Sequence, residues 1–224
     1  MALDLTSLPD VSGLTVGILG GTGDQGRGLA YRLARGGQRV LVGSRSAERA
    51  VAAAAEIGPS VAGAANEEVA AASDIVIVAV PWEGHGTLLA SLRDQLRGKI
   101  VVDCVNPLGF DKQGPYALPV EEGSAAQQAA AVLPESRVCA AFHHVSAALL
   151  ADPAVDRIDL DVLVLGEDRE AVEAVQALAG RIDGMRGVYA GRLRNAHQIE
   201  AFTANLIAMN KRYKAHAGIR ITDV

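Results

Sequence analysis

The chain has 224 residues, 50% of them hydrophobic and 4% aromatic, which is enough for one globular unit with a sizeable core. Its formal net charge is −5, from 21 basic and 26 acidic side chains, so general nucleic-acid binding is not expected. No apolar run approaches the about 20 residues that cross a bilayer, and residues 1–13 lack the basic start and apolar core of a secretory signal. We therefore expect a cytoplasmic protein with no membrane partner.

The first predicted elements are a strand over residues 15–19, a glycine turn, and a helix that ends at Gly36. Gly21, Gly23 and Gly26 fit the pattern G-x-G-x-x-G. In such a turn the first glycine permits a tight bend, the second lets the backbone approach a pyrophosphate, and the third lets the helix pack on the strand. The helix start adds free N–H groups and a partial positive charge. The pattern predicts dinucleotide binding; the alternative is a merely structural turn.

The second strand, predicted over residues 39–42, indicates which dinucleotide is bound. A site for NAD carries Asp or Glu after this strand, where the carboxylate binds the ribose 2′-hydroxyl. This chain has Ser44 and Arg45 instead, followed by a helix predicted over residues 47–57. A hydroxyl and a guanidinium suit a 2′-phosphate, and Arg49 lies one helical turn after Arg45. These residues predict NADP(H); the alternative is a solvated basic turn.

A short helix is predicted over residues 67–73, followed by a continuous apolar strand over residues 75–80. Pro81 ends the strand, and Trp82, the single tryptophan of the chain, follows it. Since ligands bind beyond the carboxyl ends of such strands, Trp82 either contacts the cofactor or packs under the loop. His85 is expected at the surface.

The next strand, over residues 99–105, ends at Asn106, whose amide is a candidate ligand of the ribose or nicotinamide. A Gly/Pro-rich loop over residues 108–123 and a helix over residues 125–132 lead to a strand over residues 138–142. His143 and His144 follow it. Adjacent residues of an extended chain point in different directions, so the two histidines are a poor metal pair and no metal site is expected. Whether one of them lines the active site stays open.

The remaining elements continue the α/β alternation. They are a strand over residues 162–166, a helix over 170–182, a strand over 187–190 and a helix over 195–215. The fold class predicted is a Rossmann-type, doubly wound, mostly parallel sheet with a small C-terminal helical part. We assign residues 1–145 to a nucleotide-binding domain and 146–224 to a smaller part that completes the sheet. Cys104 and Cys139 lie in apolar runs and are expected to be buried thiols.

The C-terminal segment, residues 181–224, is unusually basic. It has eight basic and three acidic residues, a net charge of +5, which leaves −10 for the rest of the chain. A solvated helix face explains this plainly; a site for an anionic ligand or an acidic neighbouring subunit is the alternative.

Three motifs together resemble the F420-dependent NADP reductase family, and the resemblance covers about residues 15–221. They are Leu19-Gly20-Gly21-Thr22-Gly23-x-x-Gly26, Val42-Gly43-Ser44-Arg45 and Val80-Pro81-Trp82-Glu83, and Arg194-Asn195-Ala196-His197 with the last helix is also similar. The chain departs from the family pattern at Gly84, Asn106 and Ser146. The resemblance implies hydride transfer between NADP(H) and the deazaflavin coenzyme F420. A homodimer is expected.

The resemblance also implies site residues. It places the pyrophosphate beside Gly21, in contact with Thr22, Gly23, Asp24 and Gln25. It places the 2′-phosphate in contact with Ser44, Arg45 and Arg49. The ribose and nicotinamide end is assigned to Val80, Trp82, Asn106 and Ala148, and residues 143–148, with His143 and Ser146, border the deazaflavin. No catalytic side chain is assigned, because hydride transfer between two rings needs alignment more than proton transfer. An NADPH-dependent imine or carbonyl reductase and an NADP-sensing protein without turnover are the alternatives.

Overall fold

The computed structural model describes residues 7–224, and over that range it contains ten strands and nine α-helices. The strands are β1 (Thr15–Leu19), β2 (Arg39–Ser44), β3 (Val61–Ala65), β4 (Ile75–Val78), β5 (Ile100–Asp103), β6 (Leu108–Asp111), β7 (Gly114–Ala117), β8 (Arg137–Ala140), β9 (Leu160–Gly166) and β10 (Met185–Gly191). The helices are α1 (Asp24–Arg35), α2 (Ala47–Ile57), α3 (Asn66–Ala72), α4 (His85–Ser91), α5 (Arg93–Leu96), α6 (Ala125–Val132), α7 (Ala147–Ala151), α8 (Arg169–Ala179) and α9 (Ala196–Tyr213).

Eight strands form one sheet in the order β10-β9-β8-β5-β4-β1-β2-β3, and β6 and β7 form a separate hairpin. Only the β8–β9 pair of this sheet is antiparallel within the described chain. The chain moves outward from β1 to β3 and then returns to β4 on the other side of β1. Ligands bind beyond the carboxyl ends of the strands at such a reversal. The predicted fold class is confirmed.

Helices cover both faces of the sheet and enclose two apolar cores. One core lies under α1, α2, α7 and α8, and the other under α3 to α6 and α9. Every residue of β1, β4, β5 and β9 is buried, as expected of strands that are packed on both faces. Side chains of Ser46, Ser124 and Asp168 begin α2, α6 and α8 by accepting a backbone N–H bond three residues further on. This packing on both faces holds the carboxyl ends of the central strands together along one edge of the sheet.

The sequence does not predict β3, the β6–β7 hairpin, α4, α5 or α7. Strand β3 consists of one valine followed by alanines and a glycine, so it has a single β-branched residue where strands typically have several. Its Gly63 lies directly against the Ala50 carbonyl of α2, where any side chain would overlap. The hairpin lies in the predicted loop and is closed by Asp111, whose carboxylate accepts the N–H of Gln113 at 2.7 Å. Helices α4, α5 and α7 have only seven, four and five residues, so each gives little or no periodic pattern.

Both cysteines are free, buried thiols, as predicted. Burial raises the pKa of Cys139 to about 12, and the Cys104 thiol donates to the Val78 carbonyl at 3.0 Å. Over residues 7–224, no helix is long and apolar enough to cross a membrane, and no three His, Cys, Asp or Glu side chains cluster as metal ligands.

The C-terminal tail is held against β9 by a buried carboxylate. Asp161 is fully buried and accepts hydrogen bonds from Arg186 at 2.7 and 2.8 Å, from Arg220 at 2.7 Å and from the Ile221 N–H at 2.7 Å. Burial raises the pKa of Asp161, but the Arg186, Ile221 and Arg220 hydrogen bonds outweigh burial and lower it to about 2. The ion pairs of this carboxylate therefore serve the fold.

We predict that Asp161→Asn destabilises the protein by about 3–5 kcal/mol, because it leaves two arginines without their shared buried partner. Because the pKa of Asp161 is depressed, its contribution is complete above about pH 4 and is lost as the pH falls towards 2. Urea unfolding across this pH range measures both effects.

Asp159→Asn is the matched control, since Asp159 also pairs with Arg220 but is 62% exposed. An exposed pair contributes at most about 1 kcal/mol. Equal losses of unfolding free energy in the two variants would contradict the assignment.

Candidate functional site

Glycines hold the turn between β1 and α1 at three points of close contact. Gly20 has a φ of +71°, and a Cβ at Gly20 would lie 2.5 Å from the Ala79 carbonyl oxygen. A Cβ on Gly21 would lie 2.6 Å from Val42 Cγ1, and one on Gly26 would lie 2.7 Å from the Gly21 Cα. The left-handed residue of the turn is therefore Gly20, one position before the first glycine of the pattern, and Gly21 lies where no side chain fits. Gly26 brings α1 against the turn as predicted.

The outer side of the turn is open. Gly23 is exposed, and a Cβ there would find no atom closer than the Gly20 oxygen at 3.5 Å. Within the described chain, the backbone N–H groups of Thr22, Asp24 and Gln25 have no acceptor. They lie at the positive end of the twelve-residue helix α1. This arrangement suits a pyrophosphate group.

Two unpaired arginines follow β2. Ser44 ends the strand and is nearly buried, and its Oγ accepts the Ser46 N–H at 3.4 Å. Arg45 and Arg49 are exposed and make no ion pair with any residue that the structure describes. The nearby Glu48 accepts the Ser46 hydroxyl at 2.6 Å, a bond that lowers the pKa of Glu48. Two free guanidinium groups thus face solvent beside the buried Ser44 hydroxyl, where a 2′-phosphate is expected.

The loop after β4 begins two residues earlier than predicted. The strand ends at Val78, and Val80 and Trp82 lie half-buried in the loop. The Trp82 ring packs on the second core, and its centroid lies 5.6 Å from that of His85. Packing of Trp82 under the loop is thus observed, and its exposed part borders the carboxyl edge of the sheet.

Asn106 links three elements at this edge. Its side-chain amide donates to the His143 carbonyl at 2.9 Å. The hydroxyl of Thr203, on α9, lies 3.4 Å from the Asn106 side-chain oxygen and 3.3 Å from the same carbonyl. The ends of β5 and β8 and the middle of α9 are thereby tied together. Thr203 was missed by sequence reasoning, because nothing local distinguishes it from other helical threonines.

Both histidines after β8 are buried and uncharged. Burial lowers the pKa of His143 and of His144 to about 4. Within residues 7–224 neither ring nitrogen of His143 has a hydrogen-bond partner, and only Nε2 of His144 does, accepting the Leu163 N–H at 3.3 Å. Phe142, just before them, has a φ of +65°, an unfavourable conformation for an aromatic residue, and the Gln25 side chain donates to its carbonyl. Because His143 and His144 are buried, neither imidazole is positioned to exchange a proton with solvent.

His85 is fully buried, so its expected surface position was wrong. Its Nε2 lies 2.5 Å from Asp103 Oδ2 and its Nδ1 lies 2.9 Å from Gln128 Oε1. Burial opposes charge on His85, but the charge and hydrogen bond of Asp103 outweigh it and raise the pKa of His85 above its usual value. No local signal marks this pair, because its members lie 18 residues apart on different elements.

Glu200 attaches α9 to the start of α6. Its two carboxylate oxygens accept the N–H groups of Ala125 at 3.0 Å and Ala126 at 3.2 Å. Burial and the nearby charge of Asp103 raise the pKa of Glu200 to about 7, against the effect of the two N–H bonds. This carboxylate holds α9, and with it Thr203, in place. Sequence reasoning missed it as well.

The segment after the histidines is held against α1. Arg32 is almost fully buried and donates to the carbonyls of Leu149 at 2.7 Å and Leu150 at 2.8 Å. Ser146 is half-buried with its Oγ 3.2 Å from His216 Nδ1, and Ala148 is exposed on α7. The C-terminal tail thus crosses the carboxyl edge of the sheet beside Ser146.

The basic segment divides into two groups. Arg186 and Arg220 bind Asp161, Arg181 donates to the Gly36 carbonyl, and Arg192 lies 3.5 Å from Glu167. Four exposed cations have no ion-pair partner among the described residues, and they all lie on α9 or next to its ends: Arg194, Lys211, Arg212 and Lys214. The Thr203 contacts place the middle of α9 at the carboxyl edge, and the His216 contact places the tail after the helix there.

The reversal point, the open glycine turn and the hydroxyl-guanidinium group after β2 define a dinucleotide-binding α/β protein. A family model described as "NADP oxidoreductase coenzyme F420-dependent" matches residues 15–107. The F420-dependent NADP reductase of Methanothermobacter thermautotrophicus is 41% identical over 94% of this chain and 96% of its own length. That of Methanocaldococcus jannaschii is 39% identical over 94% and 99%. The chain belongs to the F420-dependent NADP reductase family.

Solved structures agree at the level of the fold. A candidate F420-dependent NADP-reductase from Arthrobacter sp. FB24 superposes with a TM-score of 0.80 and 28% identity, over 94% of this chain and 100% of that one. Pyrroline carboxylate reductase from Plasmodium falciparum, with NADP bound, has a TM-score of 0.62 at 12% identity and is matched over 66% of its length. The second likeness shows the fold alone.

We predict that Arg45→Ala raises the Michaelis constant for NADPH about ten- to hundredfold, because it removes a charge-assisted bond to phosphate. The constant for NADH, which lacks the 2′-phosphate, is expected to change little. Steady-state kinetics with both nucleotides measure the difference.

Arg39→Ala is the matched control, since Arg39 is also exposed and lies at the opposite end of β2. Equal use of NADPH and NADH by the wild-type protein would contradict the assignment, as would equal effects of the two substitutions.

Proposed function

We propose that the protein transfers a hydride reversibly between NADP(H) and coenzyme F420. The observation that carries this proposal is the identity with F420-dependent NADP reductases over nearly the full length of both chains. The geometry of the carboxyl edge supports it, because one end of the edge suits NADP and the other carries free cations.

The nucleotide half of the proposal rests on three groups of residues. The N–H groups of Thr22, Asp24 and Gln25 would bind the pyrophosphate, and the exposed surface of Gly23 admits it. Ser44, Arg45 and Arg49 would bind the 2′-phosphate. Gly21, Val80, Trp82, Asn106 and Ala148 complete the set we assign to NADP, with the last four at the ribose and nicotinamide end.

The deazaflavin half rests on charge and position. The coenzyme carries a phosphate and a glutamate tail, so its binding needs positive charge on an otherwise acidic protein. Lys211, Arg212 and Lys214 supply charge that no described residue pairs where α9 ends, and Ser146, in the segment 143–148, contacts the tail that follows that end. We assign the deazaflavin to this side of the edge.

The chemistry consists of direct hydride transfer, which the two bound coenzymes supply. The protein's residues bind and align the two coenzymes. His143 and His144 are buried and uncharged, so neither presents a competing acid–base group at the edge. Alignment of two reactants can by itself lower the barrier by up to about 7–11 kcal/mol, and orienting the cofactors is the protein's part in such reactions. We therefore assign no catalytic side chain.

We also propose a homodimer. Large apolar side chains are exposed on the β6–β7 hairpin and on the helix α9 that β7 contacts: Phe110, Tyr116, Phe202, Met209 and Tyr213. The last three lie on one face of α9, at helical spacings of seven and four residues. An apolar surface of this kind suits a second copy of the chain.

Anaerobic mixing of the wild-type protein with NADPH and F420 tests the function, with the absorbance of the oxidised deazaflavin followed in time. We expect the absorbance to fall with NADPH and to recover when reduced F420 meets NADP. NADPH binding with no change in absorbance would favour the sensing protein. Turnover of a cyclic imine or a carbonyl compound, with F420 inert, would favour the alternative reductase.

A further inference from the structure

We infer that His85 is a positioning residue, which fixes Trp82 and the Asn106 loop at the carboxyl edge through its buried hydrogen bonds to Asp103 and Gln128. The inference rests on the proposed function, because Trp82 and Asn106 border the hydride-transfer site only if that function is correct. The placement of Trp82 itself is measurable without any coenzyme.

The hydrogen bonds define the state of the imidazole. Glu122 carboxylate oxygens only accept, and both lie 3.2 Å from Gln128 Nε2, so the amide oxygen of Gln128 is the atom that faces His85. An amide oxygen accepts, so Nδ1 of His85 carries a proton. Nε2 faces Asp103 Oδ2 at 2.5 Å, and a carboxylate also accepts. Both ring nitrogens therefore donate, and His85 forms a buried ion pair with Asp103.

This pair connects the ends of two strands. On one side, His85 begins α4 directly after the turn that contains Trp82, and the two rings lie 5.6 Å apart at an interplanar angle of 31°. On the other side, the second Asp103 oxygen accepts the Val105 N–H at 3.1 Å and so shapes the turn from β5 into Asn106. Asn106 in turn donates to the His143 carbonyl at the end of β8.

The position of the pair argues for a role beyond stability. A buried ion pair is often no more stabilising than apolar side chains of the same volume, so stability alone does not call for one. His85 and Asp103 are each 0% exposed, so His85 neither contacts a ligand nor exchanges protons with one. Its effect on the site must pass through the residues that it holds. Displacing a reacting group by about 1 Å can cost a hundredfold in rate.

The test compares His85→Phe with Gln128→Ala. The first keeps a ring beside Trp82 but removes both hydrogen bonds, and the second removes one hydrogen bond and leaves the Asp103 pair. We expect His85→Phe to lower kcat between about ten- and hundredfold, and Gln128→Ala about fivefold, with the Michaelis constant for NADPH nearly unchanged because the phosphate contacts remain. If His85→Phe does not fold, Gln128→Ala alone decides.

Fluorescence gives the second readout, because Trp82 is the single tryptophan. We expect its emission to move to longer wavelength, and acrylamide quenching to increase, in the same order as the losses in kcat. Gln38→Leu is the control: Gln38 is buried at the amino end of β2 and donates to the Val11 carbonyl at 2.9 Å, far from the carboxyl edge. It should destabilise the protein and leave Trp82 emission and kcat unchanged.

The inference would be overturned if folded His85→Phe and folded Gln128→Ala both had the Trp82 emission and the kcat of the wild-type protein. The same holds if Gln38→Leu reproduces their effects, since the loss would then follow stability. Absence of F420 turnover in the wild-type protein would refute the proposed function, and the Trp82 emission would still show whether His85 positions that ring.

Discussion

The close approach of α1 to the end of β1 is the constraint on which the rest of the structure depends. Gly26 permits it, because a side chain there would overlap the backbone of Gly20 and Gly21, and Gly20 forms the turn itself with a positive φ. The approach directs the start of α1 at the reversal point between β1 and β4, where backbone N–H groups have no partner among residues 7–224. Every other part of the proposed site, from Arg45 at one end to α9 at the other, is placed relative to that turn.

The distribution of charge along the carboxyl edge of the sheet suits the binding of two anionic ligands and a reaction that needs no proton transfer. Cations without an ion-pair partner in the described part of the chain lie at both ends, at Arg45 and Arg49 and at the last turn of α9. Between them, the titratable groups are buried: His143 is uncharged, and His85 and Asp103 satisfy each other. Buried polar groups, which do not face solvent, therefore maintain the geometry of the site's interior.

The parts of the fold and site that lie close together in sequence could be predicted. The glycine turn and the Ser44-Arg45 group are local patterns, and the apolar strands β1, β2, β4, β5 and β9 are continuous runs. The residues that organise the edge could not be predicted, because their partners come from distant elements: Asp103 for His85, Ala125 for Glu200, and the His143 carbonyl for Thr203. Strand β3 was missed for a different reason, since its alanines and Gly63 are selected for packing against α2 and not for strand propensity.

Transfer of an isotope label tests the central claim, direct hydride transfer between two coenzymes aligned by the protein. NADPH deuterated at the transferred position of the nicotinamide ring would be mixed with F420 in ordinary water, and the reduced deazaflavin analysed by mass spectrometry. We expect the label to appear in full in the reduced deazaflavin, and only when one of the two faces of the nicotinamide carries it. Label lost to solvent, or transferred from both faces, would contradict the account.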